Sequence, residues 1–206
     1  MTKPISKMTP KDVVNFHRQM EKRCDVKFVN SEFFRKKLIA TAEKFFGDLD
    51  DLLLEIVDPD LLKVRPCSVN GVILLPYQIG TPKIEPLRQV LTAVEEVTHS
   101  IRQKDYKGNA LNWYGEYFSK DTFRAVEESS GKEAKDQVYF WQFGVVRPFS
   151  FSYGGGYFLS DNAVAVAQSS YDGNKRLMEG MGRGQTTHFA ARMALKTLRA
   201  QGVTRA

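Results

Sequence analysis

Three groups of residues have the types and spacing to do chemistry, and each suits a polyanion. His188, Arg192, Lys196 and Arg199 recur at intervals of four, four and three, which lines them up as one basic stripe on a helix. A phosphate backbone can lie along such a stripe, although surface helices also carry Arg and Lys for solvation alone. Just upstream, Gly180-Met181-Gly182-Arg183-Gly184 spaces its glycines so that backbone amides can approach a phosphate at a helix N-terminus. It lacks the Lys-Ser/Thr ending of a Walker loop, and a plain loop leading into a helix is the alternative. The third group is aromatic: Tyr139, Trp141 and Phe143 alternate, Phe149, Phe151 and Tyr153 alternate, and Tyr157 and Phe158 follow. At period two, one set of rings faces a core and another faces outward. Outward rings stack on any unpaired base while nearby cations hold the backbone. Simple packing is the competing use, because strands favour aromatics for that reason.

The elements that must position these groups follow from pattern. Thr9-Pro10-Lys11-Asp12 supplies a cap, a proline at the first helical position and an acid in the first turn, predicting a helix to about Arg23. A second helix is expected from Ser31, with Phe34, Leu38, Ala42 and Phe45 at helical spacing and Gly47 at its end, and a short third over Asp50 to Val57. Between Leu61 and Ile79, Asn70-Gly71 separates two apolar runs and predicts a hairpin. Pro86 opens an amphipathic helix carrying Leu87, Val90, Leu91, Val94, Val97 and Ile101 on one stripe, with a polar opposite face. Asn112 to Glu128 reads as helical, Ser119 capping its second part. From Gln137 to about Met178 the period shifts to two, predicting strands over Val138 to Val146, Pro148 to Tyr153, Tyr157 to Ser160 and Ala163 to Gln168, with a turn at Asp172-Gly173-Asn174. A last helix runs from about Gln185 to Arg199. The expected fold is α+β in a single domain over residues 1–206: an antiparallel sheet in the C-terminal half, packed with N-terminal and C-terminal helices, and not an OB barrel.

Charge is unevenly placed along the chain. Met1 to Gly47 holds 11 basic and 5 acidic residues, Asp48 to Asp60 holds 6 acids and no base, and Lys175 to Ala206 holds 7 bases against the single Glu179. The basic excess therefore sits at the two ends, the distribution expected of a chain that meets a polyanion. No apolar run approaches the about 18 residues of a membrane helix, and the polar start MTKPISKMTPKD has no leader pattern, so a cytoplasmic location is expected. Cys24 and Cys67 stand far apart without a partner motif and read as reduced packing residues. Catalysis finds no foothold. His17, His99 and His188 do not cluster, Glu96-Val97-Thr98-His99 has an ExxH spacing without the second copy that a di-iron site needs, and the Asp48 to Asp60 acids lack the EF-hand glycine and terminal Glu. No cofactor, metal or catalytic residue is expected, and Glu96 with His99 reads as a polar-face pair.

Two resemblances add to this. GMGRGQTTHFAARMALKTLRAQG is similar to the end of a double-stranded-RNA-binding domain, where a glycine-rich loop precedes a basic helix with paired alanines. Thr186 and Thr187 stand where that family has paired lysines. Over its whole length, the order of basic N-terminal helices, hairpin at Asn70-Gly71, aromatic stretch from Tyr139 to Phe158 and basic C-terminal end resembles the Drc-type single-stranded-DNA-binding transcription cofactors of tailed bacteriophages. That resemblance implies a non-enzymatic protein that binds single-stranded DNA and helps an RNA polymerase reach opened DNA in the host cytoplasm.

The residues expected to touch nucleic acid are the rings Tyr139, Trp141, Phe149, Tyr153 and Tyr157 and the cations Arg147, Lys175, Arg176, Arg183, Arg192, Lys196 and Arg199. Binding of RNA, or an adaptor role in which the basic ends dock an acidic protein, are the other readings. Homo-oligomerisation is left open.

Overall fold

The computed structural model describes residues 3–32, 66–106, 110–148 and 159–206. The expected helix beyond Glu32, the acidic segment and the strands over Pro148 to Tyr153 and Tyr157 to Ser160 fall wholly or mainly outside these residues.

Helix α1 (Pro10–Cys24) starts where the sequence says it should. The Thr9 hydroxyl accepts from the Asp12 amide, the Asp12 carboxylate accepts from the Thr9 amide at 2.6 Å, and Pro10 fills the first turn, so the free amides of the helix start are met by its own sequence. After a left-handed Asp25, strand β1 (Lys27–Asn30) follows. Strands β2 (Cys67–Val69) and β3 (Val72–Leu75) form the expected hairpin. Asn70 and Gly71 both take positive φ, 43° and 92°, as a two-residue turn matched to strand twist requires. β1 joins the other edge of β3 in parallel, Lys27 opposite Val72 and Asn30 opposite Leu75, giving a mixed sheet in the order β1-β3-β2.

The rest is helical: α2 (Pro86–Asp105), α3 (Ala110–Ser119), α4 (Asp121–Phe143), α5 (Asp161–Met181) and α6 (Phe189–Ala200). The α+β class holds, but the sheet is mixed, small and made by the hairpin region. Among the described residues of 137–178 the expected antiparallel strands are replaced by helix: Val138 to Phe143 closes α4, and Ala163 to Gln168 and the Asp172-Gly173-Asn174 turn lie inside α5. The alternation of Tyr139, Trp141 and Phe143 is real, but Ala134, Val138 and Trp141, at spacings of four and three, are the residues driven into the core. Ser119 does not cap α4 either; its hydroxyl donates to the Gly115 carbonyl at 2.6 Å.

One apolar cluster unites Phe16 and Met20 of α1, Ile73 and Leu75 of β3, Val90 and Val94 of α2, Val138 and Trp141 of α4, and Ala194 and Leu198 of α6, while Ala125 of α4 with Ala163 and Ala167 of α5 forms a second. The chain ends close on each other: the Lys3 amide donates to Gly202 and the Thr204 amide donates to Lys3. Both cysteines are free. No helix among the described residues is long and apolar enough to cross a membrane.

Candidate functional site

Helix α1 turns Val13, Phe16, His17, Met20 and Cys24 inward, which leaves Lys11, Asn15, Arg18 and Lys22 exposed at intervals of four, three and four. Helix α6 buries Ala190, Ala191, Ala194, Leu195 and Leu198, which leaves Arg192, Lys196 and Arg199 exposed at four and three. The two helices pack against each other on the same core. Each therefore turns a basic stripe outward from the same core. The acids on α1 are engaged. Asp12 pairs with Lys3, whose hydrogen bond, together with that of Thr9, lowers its pKa to about 2, and Glu21 accepts from the Phe28 amide at 2.9 Å. Arg192 and Arg199 lie with their guanidinium carbons 5.8 Å from the rings of Phe189 and Trp141 respectively.

Of the cations expected to hold phosphate, Arg192, Lys196 and Arg199 lie on the α6 stripe. Lys175 and Arg176 are exposed on α5, which packs chiefly on α4. Arg183 is used elsewhere: its guanidinium donates to the carbonyls of Trp141 and Gln142 at 3.0 and 2.7 Å, neutralising the negative end of α4. Through Arg183, the glycine loop thus clasps the last turn of α4. Gly184 sits there at φ 101°, a backbone conformation that side-chain-bearing residues rarely adopt. Just ahead of α6, the Thr187 and His188 amides both donate to the buried Gln137 side-chain carbonyl oxygen, at 3.0 and 3.3 Å. Thr187 also accepts from the Gln137 amide nitrogen at 2.7 Å.

The aromatic expectation changes most. Trp141 is 2% exposed, so it is a core ring and not a stacking platform. Tyr139 is half-buried, 4.5 Å from the Phe143 ring and covered by Arg147 at 4.9 Å. Phe149, Tyr153 and Tyr157 lie outside the described residues. Phe118 of α3, which sequence reading passed over, is 71% exposed and stacks at 18° on Tyr114. Lys11, Arg18 and Lys22 were missed too, though their spacing of seven and four along a capped helix was a readable signal.

A second polar region lies on the other side of α4. The Lys135 ammonium meets both oxygens of Glu95 at 2.7 and 2.6 Å, and burial, which works against ionisation of Glu95, is outweighed by Lys135, so the pKa of Glu95 falls. Glu96 is held well above the usual carboxylate range by burial and by Glu95 and Glu128. His99 packs its ring edge on Gly131, where a Cβ would come within 2.6 Å. Glu96 and His99 are both buried, which corrects the polar-face reading: α4 covers the polar side of α2 as well as the core covering its apolar side.

Next to it, α4 and α5 flank an open cavity of about 510 Å³ whose walls include Lys132, Glu133, Lys135, Asp136, Arg147 and Tyr171. Arg147 pairs with Asp136, whose pKa is nonetheless raised because burial outweighs that pairing, and burial lowers Lys132. Glu133 accepts from Ser170 and sits 3.1 Å from His188 at the start of α6. Thus Tyr139 and Arg147, both expected at a nucleic-acid site, meet at this cavity rather than on an open sheet. No family model matches this chain, and comparison with curated proteins and with solved structures finds no significant match.

Proposed function

We propose that this protein is a non-enzymatic nucleic-acid-binding protein that holds a phosphate backbone on the paired basic stripes of α1 and α6. One observation carries the reading: two chain ends, each rich in bases, pack together and turn Lys11, Arg18, Lys22, Arg192, Lys196 and Arg199 outward. Six such cations release counterions when they meet phosphates, which gives affinity without reading sequence. Single-stranded DNA is the ligand we favour, from the resemblance to the phage transcription cofactors, and a polymerase partner is part of that same proposal.

The test is fluorescence anisotropy with a labelled strand at rising salt. Affinity is expected to fall linearly on a log–log plot, with a slope of about −0.7 for each phosphate contacted. Replacing Arg192, Lys196 and Arg199 together by alanine should weaken binding to every sequence alike and make the slope shallower. A salt-insensitive complex would remove the reading. Failure to bind single-stranded or duplex DNA or RNA would favour docking of an acidic protein on the same face.

A further inference from the structure

Three arginines gather at the C-terminal end of α6, and no Asp or Glu among the described residues pairs with any of them. Arg199 comes from the last turn of the helix, Arg205 from the tail after it, and Arg183 from the glycine loop ahead of it. They meet at Gly184. Outer nitrogens of Arg205 and Arg199 lie 2.7 and 3.0 Å from the one point where a Cβ on Gly184 would sit, so the two guanidinium groups are neighbours over a residue that has no side chain to part them. The tail is pinned on both sides of Arg205. The Thr204 amide donates to Lys3 at 3.0 Å, the Thr204 carbonyl accepts from the Gln142 side chain at 3.1 Å, and the Ala206 amide donates to the Gln142 carbonyl at 2.9 Å. Arg199 is set by the helix and lies 5.8 Å from the Trp141 ring centre. The pair is thus positioned before a ligand arrives.

Their protein partners are neutral and leave donors to spare. Arg205 donates from one nitrogen to the Arg183 carbonyl at 2.7 Å, and Arg199 from one nitrogen to the Gly184 carbonyl at 3.4 Å. A guanidinium carries several further N–H groups, and both side chains are exposed. Arg183 differs: it is spent on the carbonyls of Trp141, Gln142 and Ala206, which keeps the negative end of α4 from facing the pair. Like charges held so close repel, and an anion between them turns repulsion into attraction. Two forks arriving from different segments suit a tetrahedral group, whose oxygens lie in more than one plane, better than a flat carboxylate. We infer that Arg199 and Arg205 form a phosphate clamp, a discrete site for one phosphate group at the end of the α6 stripe. For a nucleic-acid strand as the source of that phosphate the inference rests on the proposed function; the clamp itself does not.

The first measurement uses the unmodified full chain and inorganic phosphate. The Trp141 Cδ1 atom is 3.6 Å from the same point over Gly184, so the indole N–H resonance of Trp141 reports on the clamp. It should shift and saturate as phosphate is added, while chloride at equal ionic strength leaves it in place. Lysine keeps the charge and loses the fork. Arg199→Lys, Arg205→Lys should therefore need at least about tenfold more phosphate for the same shift. No phosphate response in the unmodified protein, an equal response to chloride, or a response undiminished in the variant overturns the clamp.

A labelled single strand then tells a backbone phosphate from a free one. If the backbone occupies the clamp, the double lysine variant should bind the strand about tenfold more weakly, at an unchanged salt slope because the number of charges is the same. Unchanged strand affinity beside a specific phosphate response assigns the clamp to free phosphate and leaves the strand to the stripes alone. A salt-insensitive strand complex removes the nucleic-acid reading without touching the phosphate titration.

Discussion

On the outer side of α1 and α6, Lys11, Arg18, Lys22 and Lys196 point away from the core, whereas between α2 and α4 the charges of Glu95, Arg102, Glu127 and Lys135 are turned toward it. The residue types are alike and their circumstances opposite. Arg102 donates to both oxygens of Glu127, at 2.7 and 2.5 Å, much as Lys135 does to Glu95. A charge withdrawn from water needs its counterpart at contact distance, and a pair so matched has little left to offer a ligand. A charge opposite the core keeps its hydration and its reach. The same chemistry therefore holds the fold together in one region and is free to act in the other, and removing a charge should have opposite consequences in the two places.

The largest effect is expected in the seam. Arg102→Leu strands Glu127, which is only 2% exposed, and should cost about 4 kcal/mol of unfolding free energy. Urea denaturation measures the loss, and at temperatures where the variant stays folded its affinity for a single strand should be unchanged. A stable Arg102→Leu variant with weakened binding would reverse the roles assigned to the two regions.

Next comes His17, the one histidine on the inner side of α1, against the cations on its outer side. Its Nδ1 is 2.8 Å from the Val13 carbonyl oxygen, its Nε2 has no hydrogen-bond partner among the described residues, and the rings of Phe16 and Phe28 stand 5.6 and 4.8 Å away. Burial, partly offset by the bond to Val13, lowers its pKa from 6.5 to about 4. The unfolded chain takes up this proton near pH 6.5 and the folded chain only near 4, so stability is full above 6.5 and declines as pH falls to about 4. The decline from this group should be about 3 kcal/mol. His17→Leu should flatten that part of the pH–stability curve, as measured by urea denaturation at pH 7, 5.5 and 4.5; a curve as steep as before would place the acid sensitivity elsewhere.

What the sequence made legible divides along similar lines. Local signals read true. Thr9 and Asp12 cap α1 within four residues of each other, and Asn70-Gly71 turns the hairpin by its own backbone preferences. Signals that depend on distant partners did not. Tyr139, Trp141 and Phe143 fit a strand as written, and only the 23-residue run of α4, with Ala134 and Val138 ahead of Trp141, shows the helical stripe that wins. Arg183 looked like a phosphate contact because nothing in the sequence says that it lies beside the end of a helix 42 residues earlier. Likewise the basic excess at each end was countable, but that α1 packs on α6 is seen only in the fold.

The smallest effect on stability, and the sharpest on the comparison, belongs to Lys11, Arg18 and Lys22. All three are exposed, and the core contacts of α1 are made by the opposite side of the helix. Changing them together to alanine removes no buried contact and improves helix propensity slightly, so unfolding free energy should shift by no more than about 0.5 kcal/mol for each position. If each meets one phosphate, the salt slope for a single strand should become shallower by about 2, three contacts at about 0.7 each. The N-terminal and C-terminal stripes are then one site, since a strand held by α6 alone would not feel the change. An unaltered slope, with the Arg192, Lys196, Arg199 triple variant still defective, would confine the backbone to α6 and leave the basic face of α1 as a solvated surface.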